Sequence, residues 1–291
     1  MDFPAPTLAN ALSFDIEDWF HMVDVPAVAD PATWERAPSL VESKTQLILE
    51  MLAEAEVRAT FFVLGWVAEH HPRIVPQIAA AGHEIGAHSF WHGRVDQMSR
   101  GAFREDVSRA LKILEDQSGA KVLGYRAPSF SITPGTEWAL DELLDLGFVY
   151  DASLFPAPRG HGGYPCRQEP HAFDATPSGR PIRELPMSVM RWGSLKLPFS
   201  GGGYLRLLPE FLIRAGFRHF HRRGLPVVVY LHPRDFAVDC PRVPMPLSRK
   251  FKGYVGLKTT RRKLEMLLRS YRFDTCAAVL GLEPAVRATL R

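Results

Sequence analysis

The sequence predicts an α/β fold built on a parallel sheet, either open or closed into a barrel, and three observations carry that reading. Short apolar runs alternate with helix-period segments along most of the chain. No internal repeat, low-complexity tract or flexible linker interrupts the alternation, so a single domain over residues 1–291 is the simplest organisation. With 291 residues, 46% of them hydrophobic and 23% charged, the chain can bury a sizeable core, which excludes disordered and fibrous classes.

In chain order, residues 11–16 read as a strand. Residues 40–55 follow as a helix, with Leu40, Val41, Leu47, Ile48, Met51 and Leu52 at helical spacing. A strand at 59–64 precedes two short helical pieces that flank Pro72 and end at Gly82. Residues 83–88 form a third short strand, and 99–118 a helix with Ala110, Leu111 and Leu114 on its apolar face. Strands at 122–125 and 148–151 bracket a helix at 134–146 that has Pro near its start. Residues 155–183, rich in Pro, Gly and His, read as a long loop, and a loop that long inside a compact domain is usually functional or a lid. The run 226–231, with Val227, Val228 and Val229, is the strongest buried strand. A helix at 259–270, a short strand and a terminal helix close the chain.

Several classes are excluded at this stage. No apolar run approaches the ~20 residues that span a bilayer. Residues 1–10 lack both a basic and an apolar stretch, which predicts no secretory signal and a cytoplasmic location. Cys166, Cys240 and Cys276 are too few and too scattered for a disulfide framework or a thiolate metal cluster. The net charge of +3 hides an asymmetry: residues 1–56 carry eleven Asp/Glu against Arg36 and Lys44, while residues 242–272 carry ten Lys/Arg against Glu265. A solvated arginine-rich surface is the plain explanation of the basic stretch; anionic lipid or an acidic polymer are the functional ones. No nucleic-acid-binding signature accompanies it, so no nucleic-acid partner is expected.

Ionisable residues gather at the C-terminal ends of four expected strands, the edge where parallel α/β folds build sites. The first strand ends in Asp15-Ile16-Glu17-Asp18, followed by Trp19; the third in His88-Ser89-Phe90-Trp91-His92; the fourth in Tyr125-Arg126-Ala127-Pro128; and the valine-rich strand in Leu231-His232-Pro233. Each is weak alone. A His pair at i, i+4 occurs often by chance, acidic residues after a strand commonly cap the next element, and Arg126 or His232 alone could be an ion pair or a core histidine. Together, two imidazoles and a carboxylate give three protein ligands and leave a position open for water, the pattern of a catalytic zinc site.

The ordered set Ser13-Phe14-Asp15-Ile16-Glu17-Asp18, His88-Ser89-Phe90-Trp91-His92, Arg126-Ala127-Pro128-Ser129-Phe130, Asp151-Ala152-Ser153 and Leu231-His232-Pro233 resembles the motifs of polysaccharide deacetylases, the NodB-like enzymes of carbohydrate esterase family four. The resemblance covers roughly residues 10–235. The run Gly201-Gly202-Gly203-Tyr204-Leu205-Arg206-Leu207-Leu208-Pro209 and the basic C-terminal helix are similar to the subgroup encoded with bacterial exopolysaccharide and exosortase systems, which makes residues 236–291 a basic family extension packed on the barrel.

The resemblance implies an irregular (β/α) barrel with about seven parallel strands and a bound divalent metal. Two histidines plus a carboxylate suit Zn²⁺ and admit Co, Ni, Fe or Mn. His88 and His92 take the place of the ligand histidines and Asp15 that of the base. The commonest version of the family has two adjacent aspartates, base then ligand; here Ile16 follows Asp15, so the third ligand is Glu17 or Asp18, with Asp18 slightly favoured. Amide hydrolysis needs a Lewis acid for the carbonyl oxygen, a base for water and an acid for the amine. Arg126 would pair with Asp15, a backbone N–H near Tyr125 or Arg126 would help the oxyanion, and His232 would be the acid, with Asp151 or Asp235 as its acidic neighbour. The fourth motif lacks the Trp often found after it, Leu154 and Phe155 standing there instead; Leu231 would line the space for the acetyl methyl.

For the glycan itself, Trp19, Phe20, Trp91, Trp192 and Tyr204 are candidates to stack on sugar faces, each with core packing as the alternative. The glycine run at 200–204 would either close over substrate or form a tight loop. The helix at 259–270, with Arg261, Arg262, Lys263 and Arg269 beside Leu264, Leu267 and Leu268, packs on the barrel or touches anionic lipid or a lipid-linked glycan at the inner membrane face. Three functional readings follow: an N-deacetylase of N-acetylhexosamines in an exopolysaccharide or its precursor, a hydrolase of small or cyclic amides resembling allantoinases and imidases, and a catalytically silent carbohydrate-binding protein. The presence of both Asp15 and His232 favours the first.

Overall fold

A computed structural model describes residues 8–282 except 159, 161 and 194, and leaves the side chains of Trp192 and Ser248 undescribed. Its strands among the described residues are β1 (Asn10–Ile16), β2 (Thr60–Val63), β3 (Glu84–Ala87), β4 (Gly124–Tyr125), β5 (Tyr150–Asp151), β6 (His171–Phe173), β7 (Ile182–Glu184), β8 (Val189–Trp192), β9 (Leu195–Pro198), β10 (Val228–Leu231) and β11 (Phe273–Asp274). The main sheet runs β10-β1-β2-β3-β4-β5-β7-β6, with β11 also paired to β1. The seven strands from β10 to β7 are mutually parallel, and β6 closes the edge antiparallel. The sheet curls into a half-barrel, so the expected (β/α) architecture is present.

The helices are α1 (Val41–Glu54), α2 (Gly65–His70), α3 (Ile74–Ala80), α4 (Arg100–Ser118), α5 (Trp138–Asp145), α6 (Gly202–Leu207), α7 (Glu210–His221), α8 (Leu247–Tyr254), α9 (Thr260–Ser270) and α10 (Cys276–Val279). Ser99 caps α4 by accepting the Ala102 N–H, and Gly119 ends that helix in the left-handed conformation. None of the described helices is long and apolar enough to cross a membrane.

The period-two alternation of strands sorts residues onto two faces. Leu12, Phe14 and Ile16 of β1, Phe61 and Val63 of β2, Ile85 and Ala87 of β3, Tyr125 of β4, and Val229 and Leu231 of β10 share one large apolar cluster with the helices. Ala11, Phe62, Tyr150, Val228 and Tyr230 face the other way, into a smaller cluster with Phe130, Phe155 and Met187. This inner face carries Ser13 and Asp15, which are buried, and it is where the site lies.

Two segments differ from the sequence expectation. The supposed loop at 155–183 contains β6 and leads into β7, which extends the sheet, and β8 pairs with β9 in a separate hairpin. Each of these four strands carries a His, Arg or Lys within its apolar run, so none stands out as an apolar segment. The glycine run is a tight packing point: a Cβ on Gly201 would fall 2.0 Å from the Tyr230 ring. On α9, Lys263 is buried and donates to the carbonyls of Leu205, Arg206 and Leu208, while Arg261 pairs with Glu265 and Arg262 with Glu210.

Candidate active site

Alternation explains which carboxylates converge. Asp15 points inward, Ile16 outward, and Glu17, just past the strand, inward again. Glu17 lies with His88 and His92 in a buried group whose ligand atoms are all within 4.8 Å of one another. Asp18 turns away. Its Oδ1 accepts the Trp19 N–H at 2.8 Å, and its Oδ2 accepts from the Ser39 hydroxyl at 2.6 Å and the N–H groups of Leu40 and Val41 at 2.9 and 3.1 Å. Those last two donors open α1, so Asp18 serves a helix start and not the cluster.

The two histidines meet without a helix. Ser89 and His92 both adopt left-handed backbone, at φ 62° and 57°, folding residues 88–92 into a tight loop with the rings 5.1 Å apart. Asp106 of α4, buried on that helix's apolar face, accepts the N–H groups of Phe90 and Trp91 at 2.7 and 3.0 Å and ties the loop down. The Ser89 hydroxyl accepts the His92 N–H. Asp106 escaped the sequence reading, although an aspartate in line with Phe103, Val107 and Ala110 was a usable signal.

The donor set fits a divalent cation. His88 Nδ1 lies 2.7 Å from the Arg126 carbonyl, which can only accept, so Nδ1 carries the proton and Nε2 keeps its lone pair. Burial pushes the His88 imidazole down to about 4, which keeps it neutral and able to ligate. Glu17 Oε2 pairs with His92 Nε2 yet is buried without a hydrogen-bond partner among the described residues. Burial alone would raise the Glu17 carboxyl, but the neighbouring His92, His232 and His88 hold it well below the usual carboxylate range. A buried carboxylate oxygen pressed against one imidazole nitrogen, with a second imidazole beside it and no well-formed hydrogen bond, is a donor set that a cation would satisfy.

Next to this cluster, Asp15 is 3% exposed, and its Oδ1 accepts from Arg126 Nη1 at 2.7 Å. Arg126 is fully buried, its guanidinium 4.2 Å above the Phe62 ring, and also donates to Ser13 Oγ and the Ala152 carbonyl. Burial would lower this guanidinium, and Asp15 more than restores it. His232 Nε2 faces the same place, 3.8 Å from Asp15 Oδ2 and 3.9 Å from Glu17 Oε1. Behind it, Nδ1 meets Asp235 Oδ2 at 3.0 Å. Burial alone would lower His232, but Asp235, Glu17 and Asp15 raise it above its ordinary value.

Other expected site residues lie elsewhere. Asp151 is in register with Tyr125 and Glu184 on the outward face, where it accepts from the Ser153 hydroxyl and N–H, so Asp235 and not Asp151 is the acid beside His232. Leu231 is buried in the outer cluster; Tyr230, one residue earlier, faces inward with its ring 5.8 Å from that of His232. The Tyr125 side chain is wholly buried against Phe103 and Phe148, away from the inner face, and the Arg126 N–H donates to the Ala87 carbonyl. Trp19 and Phe20 are core residues, with the Trp19 indole donating to the Pro38 carbonyl. Tyr204 is half-buried on α6, and the Trp192 side chain is outside the described residues. Trp91 is 42% exposed beside the histidine loop and packs on Trp34.

Residues 31–149 match the family model described as polysaccharide deacetylase, and residues 152–281 match one described as a domain of unknown function. Two strands outside both matched segments join them in one sheet: β1 pairs with β2 and β10, and β5 with β4 and β7. A peptidoglycan-N-acetylglucosamine deacetylase of Bacillus cereus is 32% identical over 111 residues, 38% of this chain and 40% of that protein. The chain thus spans about two fifths of the length of that relative. A Mycobacterium smegmatis structure provisionally described as a polysaccharide deacetylase superposes with a TM-score of 0.64 at 22% identity, covering 100% of this chain and 94% of that one. An allantoinase superposes almost as well, with a TM-score of 0.62 at 18% identity, covering 98% of this chain and 94% of that one. At such identities the two superpositions speak for the fold alone.

Proposed function

We propose that the chain, whose residues 31–149 match the polysaccharide deacetylase model, is a metal-dependent hydrolase of that family, removing N-acetyl groups from N-acetylhexosamine residues of an exopolysaccharide or its precursor. The observation that carries the proposal is the convergence of an arginine-paired carboxylate, Asp15, and an aspartate-backed imidazole, His232, on the buried Glu17–His88–His92 group. Glu17, His88 and His92 would hold the cation, Zn²⁺ being the first candidate for this donor set. Once bound, the cation supplies Lewis acidity to the carbonyl oxygen and to a water.

The chain's own residues do the rest. Asp15 takes the proton from the attacking water; its other oxygen is committed to Arg126, which fixes the carboxylate's direction and pairs its charge. His232 gives its Nε2 proton to the amine nitrogen as that nitrogen's bond to the acetyl carbon breaks, because an unprotonated amine is a poor leaving group. Trp91 at the rim is the exposed aromatic placed to stack on a sugar ring. A lipid-linked precursor at the inner membrane face fits the same reading through the basic stretch at 242–272.

The test is acetate release from N-acetylhexosamine oligomers by the Zn²⁺-loaded protein, with cyclic amides in the same panel. Acetate from the sugars that stops on chelation supports the proposal. Turnover of the cyclic amides alone transfers the assignment to the small-amide reading. No turnover of either class, with the metal bound, points to a glycan that is longer, decorated or lipid-linked, and His88→Ala then separates the enzyme from a silent binding protein on that glycan.

A further inference from the structure

The segment matching a domain of unknown function carries a buried polar chain that ends on His232. Asp235 is 1% exposed; its Oδ2 accepts the His232 backbone N–H at 2.9 Å as well as facing Nδ1. Its Oδ1 lies 3.0 Å from Nε of Arg206, a residue of α6 that is 5% exposed. The remaining nitrogens of Arg206 donate to carbonyls at the end of α8: Nη1 to Gly253 and Val255 at 3.1 and 2.8 Å, Nη2 to Lys252 at 2.9 Å. Those carbonyls lack helical partners and carry partial negative charge, which suits a cation. Lys263 of α9 in turn donates to the Leu205, Arg206 and Leu208 carbonyls, fixing the short helix on which Arg206 stands. Gly256, at φ +69°, completes the seat, since a Cβ there would come within 2.3 Å of the Arg206 carbonyl oxygen.

Burying a guanidinium costs several kcal/mol unless its donors are satisfied. Here three donor contacts go to backbone carbonyls, and the carboxylate it meets is the one that backs His232. We propose that Arg206 is a positioning residue that acts through Asp235 to hold the His232 ring with Nε2 facing Asp15 and Glu17, and that α6, α8 and α9 form the scaffold for this support. The inference rests on His232 being the acid for the leaving amine. A misplaced acid slows only reactions whose leaving group must be protonated, and a fork that donates to three carbonyls while its charge faces one carboxylate is not replaced by a single ammonium.

The experiment compares wild type, Arg206→Met, Arg206→Lys and Asp235→Asn on an N-acetylglucosamine oligomer and on 4-nitrophenyl acetate, whose leaving group departs without a proton. The expected result for Arg206→Met is a fall of about 10–100-fold in kcat on the amide, with KM and ester turnover each within about 3-fold of wild type. Arg206→Lys should fall between the two. An equal loss on amide and ester means a merely structural residue and overturns the proposal, as does an unchanged kcat on the amide. Should Arg206→Met fail to fold, the Arg206→Lys and Asp235→Asn pair decides: non-additive losses on the amide support action through Asp235, and additive ones refute it. A wild type that turns over the ester but not the amide would instead count against the deacetylase reading.

Discussion

Glu17 and Asp18 are neighbours of similar chemistry, and exchanging each separately distinguishes a ligand from a helix cap. In Asp18→Ala the carboxylate that accepts from Trp19, Ser39, Leu40 and Val41 disappears from a position only 1% exposed. Each buried donor left without an acceptor costs about 1–3 kcal/mol, and partial access of water to the Ser39–Leu40 side lowers the sum, giving about 3–5 kcal/mol. For a chain of this size that corresponds to a fall in Tm of about 6–20 °C. Metal content should stay at the wild-type value, because neither oxygen of Asp18 faces the histidines. Glu17→Gln reverses the pattern. It removes a ligand charge while keeping the side-chain volume, so metal and acetate release should be lost with little change in the melting of the metal-free protein. Thermal melts and metal analysis on the same preparations make the comparison. Loss of metal from Asp18→Ala at unchanged Tm, with metal retained by Glu17→Gln, would refute the assignment.

Arg126→Met leaves Asp15 buried without its partner and should cost about 3–5 kcal/mol together with acetate release; denaturant melts as stable as wild type would contradict a structural role for the pair. Because His232 acts in its protonated form and its folded value is raised, kcat should fall as pH rises through a value above the ordinary 6.5, and Asp235→Asn should move that limb downward. A wild-type alkaline limb below 6.5 would contradict the arrangement. Lys263→Met orphans three carbonyls and should cost about 2–4 kcal/mol without changing sedimentation with anionic vesicles, since this ammonium is buried; lost vesicle binding at unchanged stability would count against its structural role.

The sequence made legible what short-range pattern controls. Asp15, His88, His92, Arg126 and His232 could be read as strand-end residues because the apolar runs before them are distinct, and the structure brings all five to one inner face. Alternation held more than was taken from it. Counting two from Asp15 reaches Glu17, and the register Tyr125↔Asp151↔Glu184 turns Asp151 outward. The rest depended on contacts that spacing does not encode. Asp106 reaches the histidine loop from a helix that begins eight residues after it, Arg100 following His92, and Arg206 meets Asp235 only because α8 and α9 close around it. Strands β6 to β9 stayed hidden because a His, Arg or Lys interrupts each apolar run (HAF, IRE, VMRW, LKLP), unlike the continuous apolar stretch around β10.

Acetate release from a defined N-acetylglucosamine oligomer, measured for the metal-loaded wild type beside Asp15→Asn and a chelated control, tests the central claim most directly. The account predicts turnover by wild type, none after chelation, and a loss of about 10²–10⁴-fold in Asp15→Asn, the range that a general base contributes. Equal turnover in all three samples would contradict it.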